Sequence, residues 1–466
     1  MGSRMFGTNG VRGIADEDMS CELALVMGRA AGTVLGKRIA VARDPRTSSE
    51  MLIDALSAGL MSVGCDVLDL GMVPTPALQH WIKVRKDVDG GVMITASHNP
   101  PEFNGIKCIA GDGTECTKAQ EDEIEAAYHA EPDAVGWHDI GTRIRVGGAA
   151  EEYVDSVVSK IDADSIGKRG FKVVLDCANG CSCITSPMLL ERLGVEAVVL
   201  NGAPDMRDPG HLSEPTEDHL QELIAAVRNG DFDMGIAHDG DADRVVFVTS
   251  SGRYVPGDKA LAILGRYLLA GKGGKVVVTV ATSRVVEDAV AESGGETVYT
   301  AVGSPIVARE MAADGAVFGG EENGGLIFAD HQFCRDGAMG IARMLECVAA
   351  SGPLDELVDS LPSFTTVKIG IACPDRFKDA MTDAMAARDD GAHIDRTDGL
   401  KLIYDDGWVL LRPSGTEPKY RIYSESSDPE KAEERSKRFA KEFEETLAGM
   451  SDRRSASAAR AWPSSA

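Results

Sequence analysis

The chain lacks the apolar features of a membrane protein or a secreted protein. No apolar run approaches the roughly 20 residues that a helix needs to cross a bilayer. The N-terminal residues also lack the apolar core of a signal peptide. The sequence therefore predicts no membrane partner and a cytoplasmic location.

Positive charge is scarce as well. The 466 residues include 48 lysines and arginines against 74 aspartates and glutamates, which gives a formal net charge of −26. Such a surface repels the phosphate backbone of nucleic acids, so we expect no nucleic-acid partner. An anionic substrate would need a locally positive site, which directs attention to arginines and lysines beside glycine-rich turns.

Ten cysteines are present, but they are scattered without the spacing of a disulfide framework. Cys177, Cys181 and Cys183 form one local cluster. This cluster lacks the paired CxxC spacing and the partner histidines of a zinc site. Buried thiols behind a strand are therefore the favoured interpretation.

A strand-then-helix rhythm runs through the first three-quarters of the chain. Apolar periodicity predicts helices over 21–36, after a Ser20 cap, and over 48–63, before Gly64. Alternating strands and helices indicate α/β domains with mostly parallel sheets. Short apolar runs predict the buried strands 38–43, 91–95, 172–176, 234–237, 244–249, 275–280 and 315–318.

The pattern changes near residue 363. A charged helix that begins at Pro429 after an Asp428 cap follows the strand-like segments 365–372, 408–411 and 419–425, as in a small α+β domain. Residues 451–466, rich in Ser, Ala and Arg, show no apolar periodicity and are predicted to be disordered. The chain length indicates three or four domains. We place them at 1–150, 151–252, 253–362 and 363–450.

Three of the predicted strands lead directly into unusual loops. The strand 91–95 precedes Ser97, 234–237 precedes an aspartate cluster, and 315–318 precedes the glycine-rich segment 319–325. Open α/β sheets bind ligands beyond the carboxyl ends of their strands. The recurrence predicts three similar domains that each give one loop to a shared cleft.

The aspartate cluster is the most specific of these features. Asp239, Asp241 and Asp243 alternate along the chain, so three carboxylates can converge on one hard cation, for which Mg²⁺ is favoured. An EF-hand would need glycine and glutamate where this chain has Arg244 and Ser250. Arg244 would add a fixed positive charge. A solvated acidic turn is the alternative, which the apolar strands on either side make weaker.

Ser97 offers a hydroxyl on a turn that Pro100 and Pro101 keep from continuing as a helix. A plain turn is the simpler interpretation of this segment alone. Serine hydrolysis is disfavoured, because a G-x-S-x-G elbow is missing and His98 is poorly placed to deprotonate its own neighbour. A serine that carries a phosphoryl group needs only a metal and a cationic surround. Lys107 is a further cationic candidate. A desolvated lysine beside other positive groups would have a depressed pKa and suit proton transfer, and a plain surface lysine is the alternative.

Three further loops combine glycine with polar or cationic side chains. Glu321 and Asn323 place a carboxylate and an amide in a glycine-rich turn, a pair that can bind adjacent sugar hydroxyls, although such turns are common. The segment 412–421 supplies arginines, hydroxyls and N–H groups around a glycine, which form either a phosphate nest or an ordinary β-turn. Arg12 lies in another glycine-rich turn near the N-terminus.

Taken in order, these motifs resemble the α-D-phosphohexomutase superfamily over residues 4–448, and most closely its archaeal-type phosphoglucosamine mutases. The resemblance implies three similar α/β domains with mixed or parallel sheets and a smaller, mobile C-terminal α+β domain around a central cleft. It implies that Ser97 is the phosphoserine and that Mg²⁺ is bound by Ser97, Asp239, Asp241 and Asp243. The implied catalytic residues are Ser97, Arg12, Lys107 and His98. The implied substrate-binding residues are Arg244, Gly303, Glu321, Asn323, Arg412, Ser414, Gly415, Thr416 and Arg421.

The resemblance also implies a reaction. The phosphoserine gives its phosphoryl group to a hexosamine 6-phosphate, the bound 1,6-bisphosphate turns end for end, and the serine recovers the other phosphate. A hexose 1,6-bisphosphate is then both intermediate and activator, and a small phosphosugar is the expected partner. The oligomeric state is left open, and a homo-oligomer is compatible with the sequence.

Four positions depart from common family patterns and leave the sugar open. Asn9 stands where Asp is usual in phosphoglucosamine mutases. Asn323 stands where Ser is frequent, Gly325 where His is frequent, and Ala301 where Lys is common. The favoured substrate is glucosamine 6-phosphate, with a phosphomannomutase/phosphoglucomutase as the alternative. A metal-dependent phosphatase or sugar transferase is less favoured, because the phosphatase pattern and a nucleotide-binding P-loop are both missing. A non-catalytic sugar-phosphate sensor, suggested by Ala301, conflicts with the presence of Ser97 and the three aspartates.

Overall fold

The computed structural model describes residues 5–7, 10–387, 391–414 and 418–460, and for 451–460 it describes the backbone. Four sheets packed with helices follow one another along these residues. No helix in the described ranges is long and apolar enough to cross a membrane.

The first sheet has six strands: β1 (Val11–Ile14), β2 (Arg38–Arg43), β3 (Asp66–Met72), β4 (Gly90–Ile94), β5 (Phe103–Ala110) and β6 (Arg143–Arg145). Their order across the sheet is β1-β5-β4-β2-β3-β6. The accompanying helices are α1 (Cys21–Leu35), α2 (Ser49–Ser62), α3 (Thr75–Lys83) and α4 (Lys118–Ala130). Ser20 caps α1 as the sequence predicts, because its hydroxyl accepts a hydrogen bond from Leu23 N at 3.2 Å.

The second sheet contains β7 (Lys172–Asp176), β8 (Glu196–Leu200), β9 (Met234–His238), β10 (Val245–Thr249) and β11 (Tyr254–Val255), in the order β11-β10-β9-β7-β8. Its helices are α5 (Ala149–Val158), α6 (Ala163–Arg169), α7 (Ser182–Arg192) and α8 (Gln221–Asn229). Because β11 pairs with β10, this sheet extends slightly past the predicted boundary at residue 252. Cys177 and Cys181 are buried in the core beside β7, as predicted, whereas Cys183 is only partly buried.

The third sheet contains β12 (Gly274–Thr279), β13 (Gly295–Thr300), β14 (Phe318–Glu321), β15 (Gly325–Phe328) and β16 (Gln332–Arg335), in the order β13-β12-β14-β15-β16. Its helices are α9 (Gly257–Leu269), α10 (Arg284–Glu292), α11 (Ser304–Asp314), α12 (Gly337–Ser351) and α13 (Leu354–Asp359). The strand predicted at 315–318 begins three residues later. Pairing of 318–320 with Val276–Val278 of β12 draws the glycines of the predicted loop into the sheet.

These three sheets share an arrangement of four strands. In each sheet three neighbouring strands are parallel, and the third of them turns back into an antiparallel partner: β3-β2-β4-β5, β8-β7-β9-β10 and β13-β12-β14-β15. The turn to the antiparallel strand holds Ser97 in the first sheet, the aspartates in the second and residues 322–324 in the third. The chain therefore presents its predicted functional loops at equivalent points of three similar α/β domains.

The fourth sheet is antiparallel throughout. It contains β17 (Thr365–Ala372), β18 (His393–Asp395), β19 (Leu400–Tyr404), β20 (Gly407–Pro413) and β21 (Lys419–Ser426), in the order β17-β21-β20-β19-β18. A 3₁₀ turn (Asp375–Phe377) and the helices α14 (Lys378–Ala386) and α15 (Pro429–Arg460) complete this domain.

Helix α15 corrects one expectation, because it runs ten residues into the segment 451–466 that the composition predicts to be disordered. Extending an existing helix needs no new nucleation, so residues without apolar periodicity can continue it. Residues 461–466 lie outside the described residues.

Burial divides the molecule unequally. One continuous apolar cluster extends from Ala40 in the first domain to Leu361 at the end of the third. The fourth domain has a core of its own, which includes Tyr420, Phe439 and Phe443. The first three domains are therefore joined by shared packing, whereas the fourth is built separately.

Candidate active site

Ser97 lies in the turn after β4 and is fully buried. Its φ angle is +53°, in the left-handed region that most residues avoid, and its backbone N–H donates to Thr95 Oγ1 at 2.9 Å. The Ser97 hydroxyl donates to Asp239 Oδ2 of the second domain at 2.7 Å. The predicted serine and the predicted metal loop therefore meet in the folded chain.

Arg46 holds this turn in place. Its guanidinium donates at 2.6–2.9 Å to four backbone carbonyls of the turn, those of Ser97, Asn99, Pro100 and Phe103. Asp44 accepts from Arg46 Nε at 3.0 Å, and both charged side chains are fully buried. Local sequence patterns do not reveal this role of Arg46, because these carbonyls lie 51 to 57 residues away along the chain. The charged run at the end of β2 is the local signal that could have indicated it.

Asp239, Asp241 and Asp243 occupy the turn between β9 and β10 and are buried. One carboxylate oxygen of each lies within 4.8 Å of the others. Among the described residues, Asp241 Oδ1 and Asp243 Oδ1 have no hydrogen-bond partner, and a divalent cation would satisfy both. Gly240 permits the close approach of the two loops, because a Cβ there would lie 2.4 Å from Ser97 O. The donor set therefore fits Mg²⁺.

Burial and mutual repulsion disfavour the charged form of these carboxylates. Burial, followed by the charges of Asp243 and Asp241, raises the pKa of Asp239 to about 8. Burial also acts to raise the pKa of Asp241, but the Lys107 ammonium and the Thr75 hydroxyl lower it overall. Thr75 Oγ1 donates to Asp241 Oδ2 at 2.6 Å. A bound cation would relieve the repulsion, which again fits a metal site.

Lys107, on β5, is 2% exposed and contacts two of these carboxylates. Its Nζ lies 2.6 Å from Asp241 Oδ2 and 3.4 Å from Asp243 Oδ2. Burial acts to lower the pKa of Lys107, but the two carboxylates outweigh burial and raise it. The depressed pKa considered in the sequence analysis is therefore wrong for this arrangement, because the nearest charged neighbours are carboxylates rather than cations.

His98 and two arginines surround the serine turn. Arg12 Nη1 donates to Asn99 Oδ1 at 2.8 Å, and Arg244 Nε lies 3.8 Å from Asp239 Oδ2. Burial, then the charges of Arg244 and Arg12, lowers the pKa of His98 to about 2. Neutral His98 is thus too weak a base to accept a proton efficiently near neutral pH. In the described part of the chain the buried Nε atoms of Arg12 and Arg244 have no hydrogen-bond partner, as suits donors for an anion.

The predicted sugar loop packs against the metal loop. Gly324 has a φ of +90°, and a Cβ there would lie 2.6 Å from Val245 O, just after the aspartates. Asn323 Oδ1 accepts from Gly325 N at 3.1 Å and so shapes the turn. Glu321 is 4% exposed, and burial raises its pKa despite the opposing charge of Arg335.

Arg335 is a second residue that the sequence analysis misses. Its Nη1 donates to Glu321 Oε2 at 3.0 Å, and its Nη2 donates to Asp243 Oδ2 at 2.5 Å. Two carboxylates from different domains therefore share one buried guanidinium. The adjacent charges of Arg335 and Asp336 at the end of β16 are the local signal that could have drawn attention to it.

The predicted phosphate loop of the fourth domain is described in part. Gly415 and Thr416 lie outside the described residues. Ser414 is buried, and its backbone N–H donates to Lys419 O at 2.9 Å. Arg412 Nε donates to Asp398 Oδ2 at 2.5 Å.

The third domain faces this loop. Gly303 precedes α11 with a φ of +144°, and the neighbouring Val302 N donates to Asp398 Oδ2 at 3.0 Å. Asp398 therefore joins the start of α11 to Arg412. A small cavity between the two domains is lined by Ala281, Val302, Glu322, Leu410, Arg412, Arg421 and Tyr423.

Comparison with known proteins agrees with this architecture along the chain. Family models for the α/β/α domains I, II and III of phosphoglucomutase/phosphomannomutase match residues 3–134, 151–252 and 256–364. The model for the C-terminal domain of the same proteins matches residues 369–442.

Individual relatives match over almost the whole chain. A phosphoglucomutase/phosphomannomutase of Thermococcus kodakarensis is 42% identical over 96% of this chain and 100% of its own. A probable phosphoglucosamine mutase of Methanopyrus kandleri is 42% identical over 92% of this chain and 96% of its own. The crystal structure of a phosphoglucomutase/phosphomannomutase family protein of Burkholderia thailandensis is 28% identical with a TM-score of 0.85, and the match covers 95% of this chain and 98% of that one.

Proposed function

The chain belongs to the phosphoglucomutase/phosphomannomutase family and is an enzyme, and we propose that it interconverts glucosamine 6-phosphate and glucosamine 1-phosphate. The observation that carries the proposal is the contact of the Ser97 hydroxyl with Asp239 inside a buried cluster of three carboxylates. A phosphoryl group on that hydroxyl would lie beside the cation that those carboxylates hold.

Asp239, Asp241 and Asp243, together with a phosphate oxygen on Ser97, would hold Mg²⁺. When bound, the ion neutralises charge that develops on the transferring phosphoryl group. The two unpartnered aspartate oxygens support this assignment, because a cation would satisfy both of them.

The chemistry consists of two phosphoryl transfers. In the first, the bond between phosphorus and Ser97 Oγ breaks, a bond forms to the C1 oxygen of the hexosamine 6-phosphate, and the proton of that hydroxyl replaces the phosphoryl group on Ser97. The bound 1,6-bisphosphate then turns end for end within the site. In the second, the phosphoryl group on C6 moves to Ser97 Oγ, and the serine proton passes to the C6 oxygen. Arg12 and Arg244 supply fixed positive charge beside the transferring group.

The remaining predicted residues would recognise the rest of the substrate. Glu321 and Asn323 would offer a carboxylate and an amide to the sugar, and the backbone of Gly303 would add a further contact. The phosphate that is not being transferred would be clamped by Arg412, Ser414, Gly415, Thr416 and Arg421. The cavity that two of these arginines line against the third domain supports this role.

The choice of an amino sugar rests on relatives such as the M. kandleri protein. The second candidate is a phosphomannomutase/phosphoglucomutase, which the equally similar T. kodakarensis protein favours. We propose a hexose 1,6-bisphosphate as activator, a phosphosugar as partner and a cytoplasmic location for either activity.

A substrate panel tests the proposal. Purified protein with Mg²⁺ and catalytic hexose 1,6-bisphosphate is assayed on glucosamine 6-phosphate, mannose 1-phosphate and glucose 1-phosphate, and intact mass with peptide mapping follows phosphate on Ser97. We expect kcat/KM to be at least about tenfold higher for the amino sugar. Preference for a neutral sugar would favour the second candidate. Turnover without phosphate on Ser97 would reject the mechanism.

A further inference from the structure

Arg335 joins the metal loop of the second domain to the sugar loop of the third. It ends β16 and is 6% exposed. It contacts Asp243 Oδ2 through one terminal nitrogen and Glu321 Oε2 through the other. Asp243 therefore has one oxygen fixed by Arg335, while its other oxygen, Oδ1, has no hydrogen-bond partner among the described residues.

Gly325 leaves the space through which the Arg335 side chain passes. A Cβ on Gly325 would lie 2.3 Å from Arg335 Cδ and 3.0 Å from Cγ, closer than real Cβ contacts come. The φ of Gly325 is not positive, so the absence of a side chain, rather than backbone freedom, is what this position needs. Gly325 and Arg335 are thus a matched pair, because the path of the Arg335 side chain needs a residue without a side chain at position 325.

The backbone that carries Arg335 is held firmly at the next residue. Asp336 caps α12 by accepting from Met339 N at 3.0 Å. The same carboxylate accepts from Gln332 Nε2 at 2.6 Å, pairs with His331 Nδ1 at 2.9 Å and accepts from the Tyr153 hydroxyl. A guanidinium on so constrained a backbone can fix the positions of its two partners at little entropic cost.

We propose that Arg335 is a positioning residue that sets Asp243 for the metal and Glu321 for the sugar, and so couples the two halves of the active site. This inference rests on the proposed function for the roles of Asp243 and Glu321. The guanidinium suits the task, because its planar fork can donate to two carboxylates at once, which an ammonium cannot do with the same geometry.

Metal binding to the unphosphorylated protein tests half of this proposal without any turnover. Mn²⁺, which takes the oxygen ligands of Mg²⁺, is titrated and its free EPR signal gives the Kd. Loss of an outer partner of a ligand weakens metal binding about tenfold or more, so Arg335→Met should raise the Mn²⁺ Kd by that factor. The loss of orientation at Asp243 is expected to outweigh the removal of a repelling cation.

Arg343 provides a matched control. It lies on α12, is 7% exposed and pairs with two carboxylates, Glu346 and Asp330, neither of which belongs to the site. Arg343→Met should lower thermal stability and leave the Mn²⁺ Kd unchanged. An unchanged or lower Kd in Arg335→Met, or an equal rise in Arg343→Met, would overturn the proposal.

The sugar half is tested by kinetics and by a variant that keeps the charge. Arg335→Met should raise KM for the sugar phosphate about tenfold and lower kcat, and Arg335→Lys should restore part of both. Gly325→Ala should change KM and the Mn²⁺ Kd in the same directions by at least about threefold, because the added methyl displaces Arg335. Gly147→Ala, where a Cβ meets nothing within 4 Å, should change neither.

The outcomes separate this inference from the proposed function. A wild-type protein that turns over none of the sugar phosphates rejects the function, while the Mn²⁺ titration still decides the role of Arg335 at the metal site. If Gly325→Ala leaves both the KM for the sugar phosphate and the Mn²⁺ Kd unchanged, the proposed coupling is overturned even in an active enzyme.

Discussion

The serine end and the fourth-domain end of the proposed cleft are built in opposite ways. Around Ser97, the first three domains share one continuous apolar core. The fourth domain packs against the third through a small apolar contact made by Val280, Ala281, Trp408 and Leu410. Separating the first three domains would expose a common core, whereas moving the fourth would expose this much smaller apolar contact.

The polar contacts differ in the same sense. At the serine end, buried charged side chains from different domains meet directly, as Lys107 does with Asp241 and Arg335 with Asp243. At the other end, side chains of the fourth domain mostly contact backbone groups of the third. Arg284 N donates to Glu425 Oε1 at 2.9 Å, and Lys401 Nζ donates to Val280 O at 2.8 Å. These contacts indicate a fixed transfer site around Ser97. They also indicate that the fourth domain, with its phosphate loop, acts as a clamp that can release the bisphosphate while it turns end for end.

The largest expected effect comes from the fixed end. Ser97→Ala removes the oxygen that accepts the phosphoryl group, so turnover should fall on the order of 10³-fold or more. Coupled measurement of sugar 1-phosphate formation detects the loss. Ser57→Ala is the control, because Ser57 is also fully buried and its hydroxyl has no hydrogen-bond partner among the described residues. Near-normal turnover in Ser97→Ala would contradict the mechanism.

A smaller effect on catalysis is expected from a change at the contact between the third and fourth domains. Trp408 is 3% exposed and supplies the largest side chain of the contact between the third and fourth domains. Trp408→Ala should weaken docking of the fourth domain and raise KM for the sugar phosphate about tenfold, as truncation of an aromatic anchor does at an interface. The Mn²⁺ Kd should stay unchanged, because the side chains that contact the aspartates belong to the first three domains. Trp137→Ala, at a side chain that is 77% exposed, is the control. A change in the Mn²⁺ Kd of Trp408→Ala would show that the metal site is not independent of the contact with the fourth domain.

The sequence predicts what local patterns determine. The strands β2 and β7 have the predicted bounds, and α1 begins after the predicted Ser20 cap. The order of strand and loop also predicts that Ser97 and the aspartates meet. Local patterns fail where a contact joins distant segments: Arg46 and Arg335 find their partners only in the folded chain. The predicted lowering of the Lys107 pKa is wrong for the same reason, since the sequence does not show which charges surround a buried ammonium.

The smallest expected effect is a pH dependence of stability that comes from Lys401, at the contact between the third and fourth domains. Lys401 Nζ lies 4.5 Å from the Trp408 ring centre and 4.8 Å from that of Tyr299, and burial lowers its pKa from 10.5 to about 8, against the opposing charge of Glu425. Between those values the unfolded chain binds more protons at this site than the folded chain, so the contribution of Lys401 to stability rises with pH, by up to about 1.4 kcal/mol per pH unit. The unfolding temperature of the wild type, measured against that of Lys401→Met, should therefore increase from about pH 8 to about pH 10. Lys272→Met, which removes an exposed lysine, is measured alongside as the reference. A constant difference between the wild type and Lys401→Met would show that the ammonium is not desolvated, and the contact between the third and fourth domains would then be open to water.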